Sequence, residues 1–166
     1  HGTNKREPWH YPAIAGIVKR WWNLRYKLIP YILKESEKAV HGGKAIVQAL
    51  VFHHPDDRLC WHIDDEYYFG DDLLVAPVMN SDNRRDVYLP EGEWVNFFSG
   101  EQLQGGQWLH NVEVPLELMP VYEFEERIFP EDKVLPDYIQ WEAEAEDMIA
   151  PPETEKILPK LNFWGY

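Results

Sequence analysis

The chain has 166 residues, a net charge of −13 and 45% hydrophobic residues. Its length suffices for one domain or for parts of two, and its hydrophobic content suffices for a folded core. The negative charge argues against nucleic acid or an anionic membrane as partner, because like charges repel. No apolar run approaches the roughly 20 residues of a membrane helix. The single cysteine, Cys60, excludes an internal disulfide and favours an intracellular, cytoplasmic location.

The chain begins with His1-Gly2-Thr3, without an initiator methionine or a signal peptide. We therefore expect it to start inside a larger polypeptide. Pro8 and Pro12 disfavour helix in this opening segment, which predicts a loop up to residue 12.

Residues 13–40 carry apolar side chains at three- and four-residue steps, which predicts an amphipathic helix. Pro30 should kink this helix or split it in two, because proline lacks the backbone N–H of a helix interior. Gly42-Gly43 is a plausible end of the helix. The apolar run Ala45–Phe52 then predicts a strand buried on both faces, as in a parallel sheet.

The next segment, His53-His54-Pro55-Asp56-Asp57, contains residue types that bind metals. Adjacent histidines in a strand point to opposite faces, however, and no third cluster lies at ligand spacing. We therefore expect no metal site in this segment.

Five carboxylates follow between Asp64 and Asp72. Asp65 and Asp72 are a candidate pair for acid–base chemistry, because two neighbouring carboxyl groups can serve as general acid and general base.

The apolar run Leu73–Val78, closed by a proline, predicts a buried strand at a change of architecture. Downstream, residues 86–90, 93–98, 112–118 and 119–124 read as short strands. Glycine-bearing turns separate them at Gly92, Gly100 and Gly105-Gly106. This half of the chain is predicted to be all-β.

The decapeptide Phe69–Val78 closely resembles the block that follows the catalytic barrel in family 31 glycoside hydrolases, the α-glucosidases and α-xylosidases. Residues 25–32 and the hairpin Tyr88–Trp94 resemble further motifs of that family, in the same order. The resemblance implies an α/β plus all-β chain, the end of a (β/α)8 TIM barrel followed by an antiparallel β-sandwich domain. Residues 1–72 would end the barrel and residues 73–129 would form the proximal sandwich. From about residue 130 the resemblance fades, and the composition of residues 130–166 predicts an acidic extension.

The same resemblance implies a retaining α-glycosidase that uses two aspartates, one as nucleophile and one as acid and base. Residues 1–9, which start with His-Gly and end with Glu-Pro-Trp, resemble a loop that follows both aspartates in the family. We therefore assign no catalytic residue to this chain and expect it to be inactive alone. His1 would bind hydroxyl groups of the sugar in the −1 subsite, which suits an imidazole that donates at one nitrogen and accepts at the other. Residues 55–57 would form a turn, and Asp65 and Asp72 would be structural. Gln48 stands where the family usually has an arginine.

No metal or organic cofactor is expected, since both catalytic groups would be carboxyls. The expected partners are a small carbohydrate substrate and the upstream barrel of the same enzyme, with a homo-oligomer left open. The alternative function is a non-catalytic carbohydrate-binding or interaction module, for which the tryptophans of the β-rich half, such as Trp108, are the candidate contacts.

Overall fold

A computed structural model of the chain describes residues 11–125. His1, the opening loop up to residue 10 and the acidic extension predicted for residues 130–166 lie outside the described residues. The described part falls into two compact units, one that holds the first helix up to Lys27 and one that begins at Leu28.

Two helices open the described part, α1 (Pro12–Lys27) and α2 (Ile29–Gly42). The break falls at Leu28, and Pro30 lies in the first turn of α2, where its missing N–H has no helical partner to lose. Gly43 ends α2 in a left-handed conformation with φ 68°, and its N–H donates to the Ala39 carbonyl at 3.1 Å. The predicted split at Pro30 and the predicted end of the helix are both confirmed.

Eight short strands follow the helices, and all of them pair antiparallel. They are β1 (Val47–Ala49), β2 (Tyr67–Phe69), β3 (Leu73–Val75), β4 (Arg84–Leu89), β5 (Glu93–Asn96), β6 (Gln102–Gln104), β7 (Gln107–Glu113) and β8 (Val121–Phe124). Six of them form one sheet in the order β1-β2-β3-β8-β5-β6, and β4 pairs with β7 in a second sheet. The strand last in sequence, β8, therefore lies in the middle of the larger sheet.

The core lies between the two sheets. Leu74, Trp94 and Tyr122 of the larger sheet and Val87 and Leu89 of the smaller one belong to one buried cluster. Each of these residues is at most 1% exposed, so the apolar faces of both sheets are removed from water. This arrangement, mostly antiparallel sheet with few helices, is consistent with the β-sandwich that was predicted. A barrel is not seen among residues 11–125.

The long parallel strand predicted for Ala45–Phe52 is wrong. Only Val47–Ala49 are extended, they pair antiparallel with β2, and residues 50–52 form a turn of 3-10 helix. The physical reason is that Val47 of the edge strand β1 is 56% exposed and that Phe52, in the 3-10 turn after it, is 75% exposed. A continuous apolar run predicts burial on both faces, and here only Leu50 and the polar Gln48 are buried.

Of the other strand predictions, some are confirmed and others are confirmed only in part. The buried strand at Leu73 is confirmed, although β3 ends at Val75. The alternating segment 112–118 is extended only up to Glu113, because Pro115 cannot donate to a ladder and Leu116 is exposed. Strands β2 and β6 were not predicted.

Candidate functional site

The segment Phe69–Asp72 forms the tight turn between β2 and β3, and α2 contacts it directly. The Tyr31 hydroxyl donates to the Phe69 carbonyl at 2.9 Å and accepts from the Asp72 N–H at 3.2 Å. Gly70, with φ 70°, lies beneath this hydroxyl, and any Cβ at that position would collide with it. The glycine of the decapeptide is thus required both by its backbone angle and by the approach of Tyr31.

Asp71 in the same turn is surrounded by lysines. Its carboxylate pairs with Lys38 at 2.9 Å and with Lys44, and Lys38 also pairs with Glu35 at 2.6 Å. Partial burial would raise the pKa of Asp71, but the hydrogen bonds from the two lysines outweigh it and hold the pKa at about 2. These charged contacts join α2 to the sheet, and they leave Asp71 ionised at any physiological pH.

The candidate pair Asp65 and Asp72 has separate structural partners. The Asp65 carboxylate is exposed and lies 3.0 Å from the Arg85 guanidinium. Asp72 is buried, its N–H donates to Tyr31, and its carbonyl accepts from the Phe124 N–H at 2.8 Å. These contacts fit the structural roles that the sequence resemblance implies for both residues.

A buried ion pair lies between β2 and β4. One Glu66 oxygen accepts from the Tyr88 N–H at 2.9 Å and from the Arg85 guanidinium at 3.2 Å. The other oxygen, Oε2, is buried without a hydrogen-bond partner. Burial raises the pKa of Glu66 to about 7, against the opposing effects of the Tyr88 N–H and of Arg85.

Arg85 itself is well satisfied, because it also donates to the carbonyls of Pro77, Asp65 and Asp86. It lies where β4 bulges, between Arg85 and Val87. The sequence offers no local signal for this pair, since Glu66 lies in a run of acids and Arg85 in a polar turn. They meet because the two sheets pack against each other, since β2 and β4 belong to different sheets and do not pair.

The two adjacent histidines both contact Tyr68 instead of a metal. The His53 ring stacks on the Tyr68 ring with centroids 3.9 Å apart, and His54 Nε2 bonds the Tyr68 hydroxyl at 2.7 Å. Burial lowers the pKa of both histidines, that of His53 to about 4. Between Tyr11 and Glu125, no three histidine, cysteine or carboxylate side chains are grouped as metal ligands would be.

The loop after these histidines covers one face of β4. Asp57 accepts hydrogen bonds from the Tyr88 hydroxyl at 2.6 Å and from the Leu59 N–H at 2.9 Å. The turn predicted around Pro55 is confirmed. Cys60 is buried beside it, and burial raises the pKa of its thiol to about 12, so this cysteine is a poor nucleophile.

Two further residues singled out from the sequence can be placed. Gln48 is buried in β1, opposite Tyr68 of β2. Trp108 lies on β7 and is 38% exposed. The predicted sugar-binding residue His1 is outside the described residues. None of the helices within residues 11–125 has the length and apolar character of a membrane span.

Comparison with known proteins identifies the β-rich part of the chain. Residues 43–129 match the family model described as "Glycosyl hydrolase family 31 C-terminal domain". The chain is 34% identical over 123 residues to alpha-glucosidase 2 of Bacillus thermoamyloliquefaciens, an alignment that covers 73% of this chain and 16% of that protein. It is 36% identical over 126 residues to the alpha-xylosidase of Saccharolobus solfataricus, covering 74% of this chain and 17% of that protein.

The fold gives the same result. A crystal structure of a family 31 alpha-xylosidase from a soil metagenome, complexed with xylose, superimposes with a TM-score of 0.72 at 37% sequence identity. The alignment covers 75% of this chain and 19% of that one. This chain therefore spans only about a sixth of the length of the relatives named above, 16% and 17%. With the family model matched over residues 43–129, the chain belongs to glycoside hydrolase family 31.

Proposed function

We propose that this chain is the C-terminal part of a retaining α-glycosidase that hydrolyses terminal α-linked glucose or xylose from oligosaccharides. The observation that carries the proposal is its membership of family 31 through a segment that folds as two packed antiparallel sheets. The relatives include an alpha-glucosidase and an alpha-xylosidase, which supports either sugar as substrate.

The catalytic aspartates lie upstream of His1 in this proposal, and the described residues supply a scaffold. The contacts of Asp65 and Asp72 support this assignment, since each serves the fold. His1 contributes to the −1 subsite, where its imidazole donates to one sugar hydroxyl and accepts from another. The partners are a small carbohydrate and the rest of the same enzyme.

The sheet pairing supports a boundary between barrel and sandwich that differs from the one the sequence motifs indicate. The sequence motifs divide the chain at residues 72 and 129, yet β1 and β2 share a sheet with β3. We propose that the sandwich extends back to β1 and that the barrel contributes the helical segment before it. Limited proteolysis tests this division: the first stable cut should fall near Gly42-Gly43, and a cut near residue 72 with both products folded would contradict it.

The activity is tested with two proteins. The 166-residue chain should turn over neither an aryl α-glucoside nor an aryl α-xyloside. A protein produced from the same reading frame, extended upstream of His1, should turn over one of them. Turnover by the 166-residue chain would overturn the upstream placement of the aspartates, and inactivity of the extended protein on both substrates would overturn the glycosidase proposal.

The role of His1 is tested in the extended protein. His1→Ala should lower kcat/KM by about tenfold to a hundredfold, because a buried sugar loses one or two hydrogen bonds of about 1.5 kcal/mol each. His10→Ala, in the same segment, is the matched control and should leave kcat/KM unchanged. Equal effects of the two changes would contradict a sugar contact by His1.

A further inference from the structure

One face of the two-stranded sheet carries a group of ring side chains, from the buried Tyr88 to the exposed Trp108 and His110. Tyr88 of β4 and Trp108 of β7 are paired directly across the sheet, with ring centroids 5.2 Å apart. The His110 ring lies two residues along β7, nearly parallel to the Trp108 ring, at 16° and 6.5 Å. Trp108 and His110 thus form a pair of nearly parallel rings on one face of the strand, which we call the Trp108 platform.

The side chains beside the platform are fixed in place. The Tyr88 ring lies beneath the loop of residues 53–61, and its hydroxyl donates to Asp57 at 2.6 Å. His110 Nδ1 bonds the Asp86 carboxylate at 2.9 Å, and the other oxygen of Asp86 accepts from the Asn111 N–H at 2.7 Å. Asn111 has a positive φ of 56°, so the backbone itself turns to make this bond. Because the Asp86 carboxylate holds the His110 ring, this ring loses little conformational freedom when a ligand covers it.

The platform is open to solvent. Trp108 is 38% exposed, and the side chains of His110 and Asp86 are 71% and 51% exposed. Leu109 and Val112 of the same strand point the other way and pack on the core. The ring faces of Trp108 and His110 are therefore not needed to build the fold, in contrast to those of Trp94 and Tyr122.

The side chains around the two rings favour a neutral ring-shaped ligand over an anionic one. A nucleic acid base also stacks on tryptophan, but the phosphates would meet Asp86 and a chain of net charge −13. A pyranose ring presents an apolar face of C–H groups and a rim of neutral hydroxyls. The apolar face fits the tryptophan ring, and the hydroxyl rim can donate to carboxylate oxygens and exchange hydrogen bonds with an imidazole edge.

We propose that the Trp108 platform, with Asp86 at its rim, is a binding site for a neutral pyranose unit of an oligosaccharide. The assignment rests on the side chains of β4 and β7 and does not require the proposed hydrolytic activity. It makes binding of a saccharide a property of the sandwich itself.

Binding is measured on the 166-residue chain, which is expected to be inactive, so hydrolysis does not interfere. Isothermal titration with maltotriose, isomaltotriose and xylotriose should give saturable binding of at least one of them. Because the ligand is uncharged, its affinity should change little between low and high salt. Trp108→Ala should weaken this binding by about tenfold or more, as expected when a stacked ring is removed, while Trp108→Phe should retain part of it.

Trp22→Ala is the matched control, since Trp22 is 46% exposed on α1 and has no part in the platform; it should bind as the unaltered chain does. Far-UV circular dichroism of each variant verifies that the fold is kept, and Trp108→Phe serves as the decisive variant should Trp108→Ala fail to fold. Absence of saturable binding to all three sugars would overturn the proposal, as would unchanged affinity in the Trp108 variants. The hydrolysis assays use a different protein, so failure of the platform and failure of the glycosidase proposal are distinguishable.

Discussion

The Glu66 carboxyl group combines deep burial with an incomplete set of hydrogen bonds. Its side chain is fully inaccessible, and only one of its two oxygens is hydrogen-bonded. An ionised carboxylate that is buried in this way loses its hydration, and the Arg85 guanidinium does not fully replace it. This is why desolvation outweighs Arg85 and the pKa of Glu66 is raised from 4.5 to about 7.

The raised pKa makes stability depend on pH in a definite direction. Between about 4.5 and about 7 the folded state binds more protons at Glu66 than the unfolded state does. Raising the pH through this window therefore removes stability, by about 3 kcal/mol for a shift of this size. Below the window this contribution is fully present, and above it the contribution has been lost.

Glu66→Gln is expected to remove this dependence. The amide cannot ionise, yet its oxygen still accepts from the Tyr88 N–H and from Arg85. The variant should therefore gain stability relative to the unaltered chain as the pH rises from 5 to 7.5. Urea unfolding at several pH values measures this, with the exposed Glu91→Gln as control. Parallel stability curves for Glu66→Gln and the unaltered chain would refute the role of Glu66.

At the scale of elements, α2 is attached to the sheet mainly by one hydroxyl group and one cluster of charges. The Tyr31 hydroxyl satisfies the Phe69 carbonyl and the Asp72 N–H, both of which belong to the β2–β3 turn. The charges of Lys38 and Lys44 on Asp71 are partly exposed and are worth less than the buried hydrogen bonds. The hydroxyl should accordingly dominate the attachment.

Tyr31→Phe is expected to lower the free energy of unfolding by about 1–3 kcal/mol, because it leaves two backbone groups of the turn without their partner. Tyr26→Phe, at a position that is 65% exposed on α1, is the matched control and should change stability little. Thermal unfolding followed by circular dichroism compares the two. If both changes lower the midpoint equally, the hydroxyl of Tyr31 does not hold the turn.

The elements show where reasoning from sequence succeeds and where it fails. Pro30 and Gly43 act through local backbone geometry, so the end of α1 and the end of α2 could be predicted. The apolar run Ala45–Phe52 was misleading, because Val47 is exposed on an edge strand and Phe52 is exposed in the turn of 3-10 helix that follows it. Strand β6 carries Gln102 and Gln104 at the other edge of the sheet, and its polar residues gave no periodic signal. Both failures occur at sheet edges, where pairing with a distant strand decides the conformation.

Some features of the candidate sites could likewise be predicted from the sequence, and others could not. Motif order correctly indicated family 31, and the exposure of Trp108 agrees with its selection from the sequence. The Trp108 platform depends on the register between β4 and β7, and the Glu66–Arg85 pair depends on how one sheet packs on the other, which no local pattern reveals. His1 stays a prediction.

At the scale of the whole molecule, the larger sheet depends on β8. This strand pairs with β3 on one side and with β5 on the other. Without it, the sheet separates into a three-stranded part, β1-β2-β3, and the β5-β6 hairpin. Each part would expose the apolar face that it now buries, and neither has the area of a stable core.

A chain that ends at Pro120 is therefore expected to lose cooperative unfolding, whereas one that ends at Phe129 should keep it. Urea titration followed by tryptophan fluorescence reports on this directly, since Trp94 is fully buried next to Phe124, with ring centroids 5.0 Å apart. A sharp transition with an unchanged slope in the shorter chain would show that β8 is dispensable.

The central position of the last strand has a consequence for biosynthesis. During synthesis β3, β5 and β6 emerge from the ribosome before β8. Until β8 emerges, the edges of β3 and β5 that pair with it stay unpaired. Unpaired edges of this kind recruit strands from other chains, which makes the interval before residue 124 emerges the time of greatest exposure to aggregation. The larger sheet is therefore completed late in synthesis, because its four-residue central strand β8 is the last to emerge.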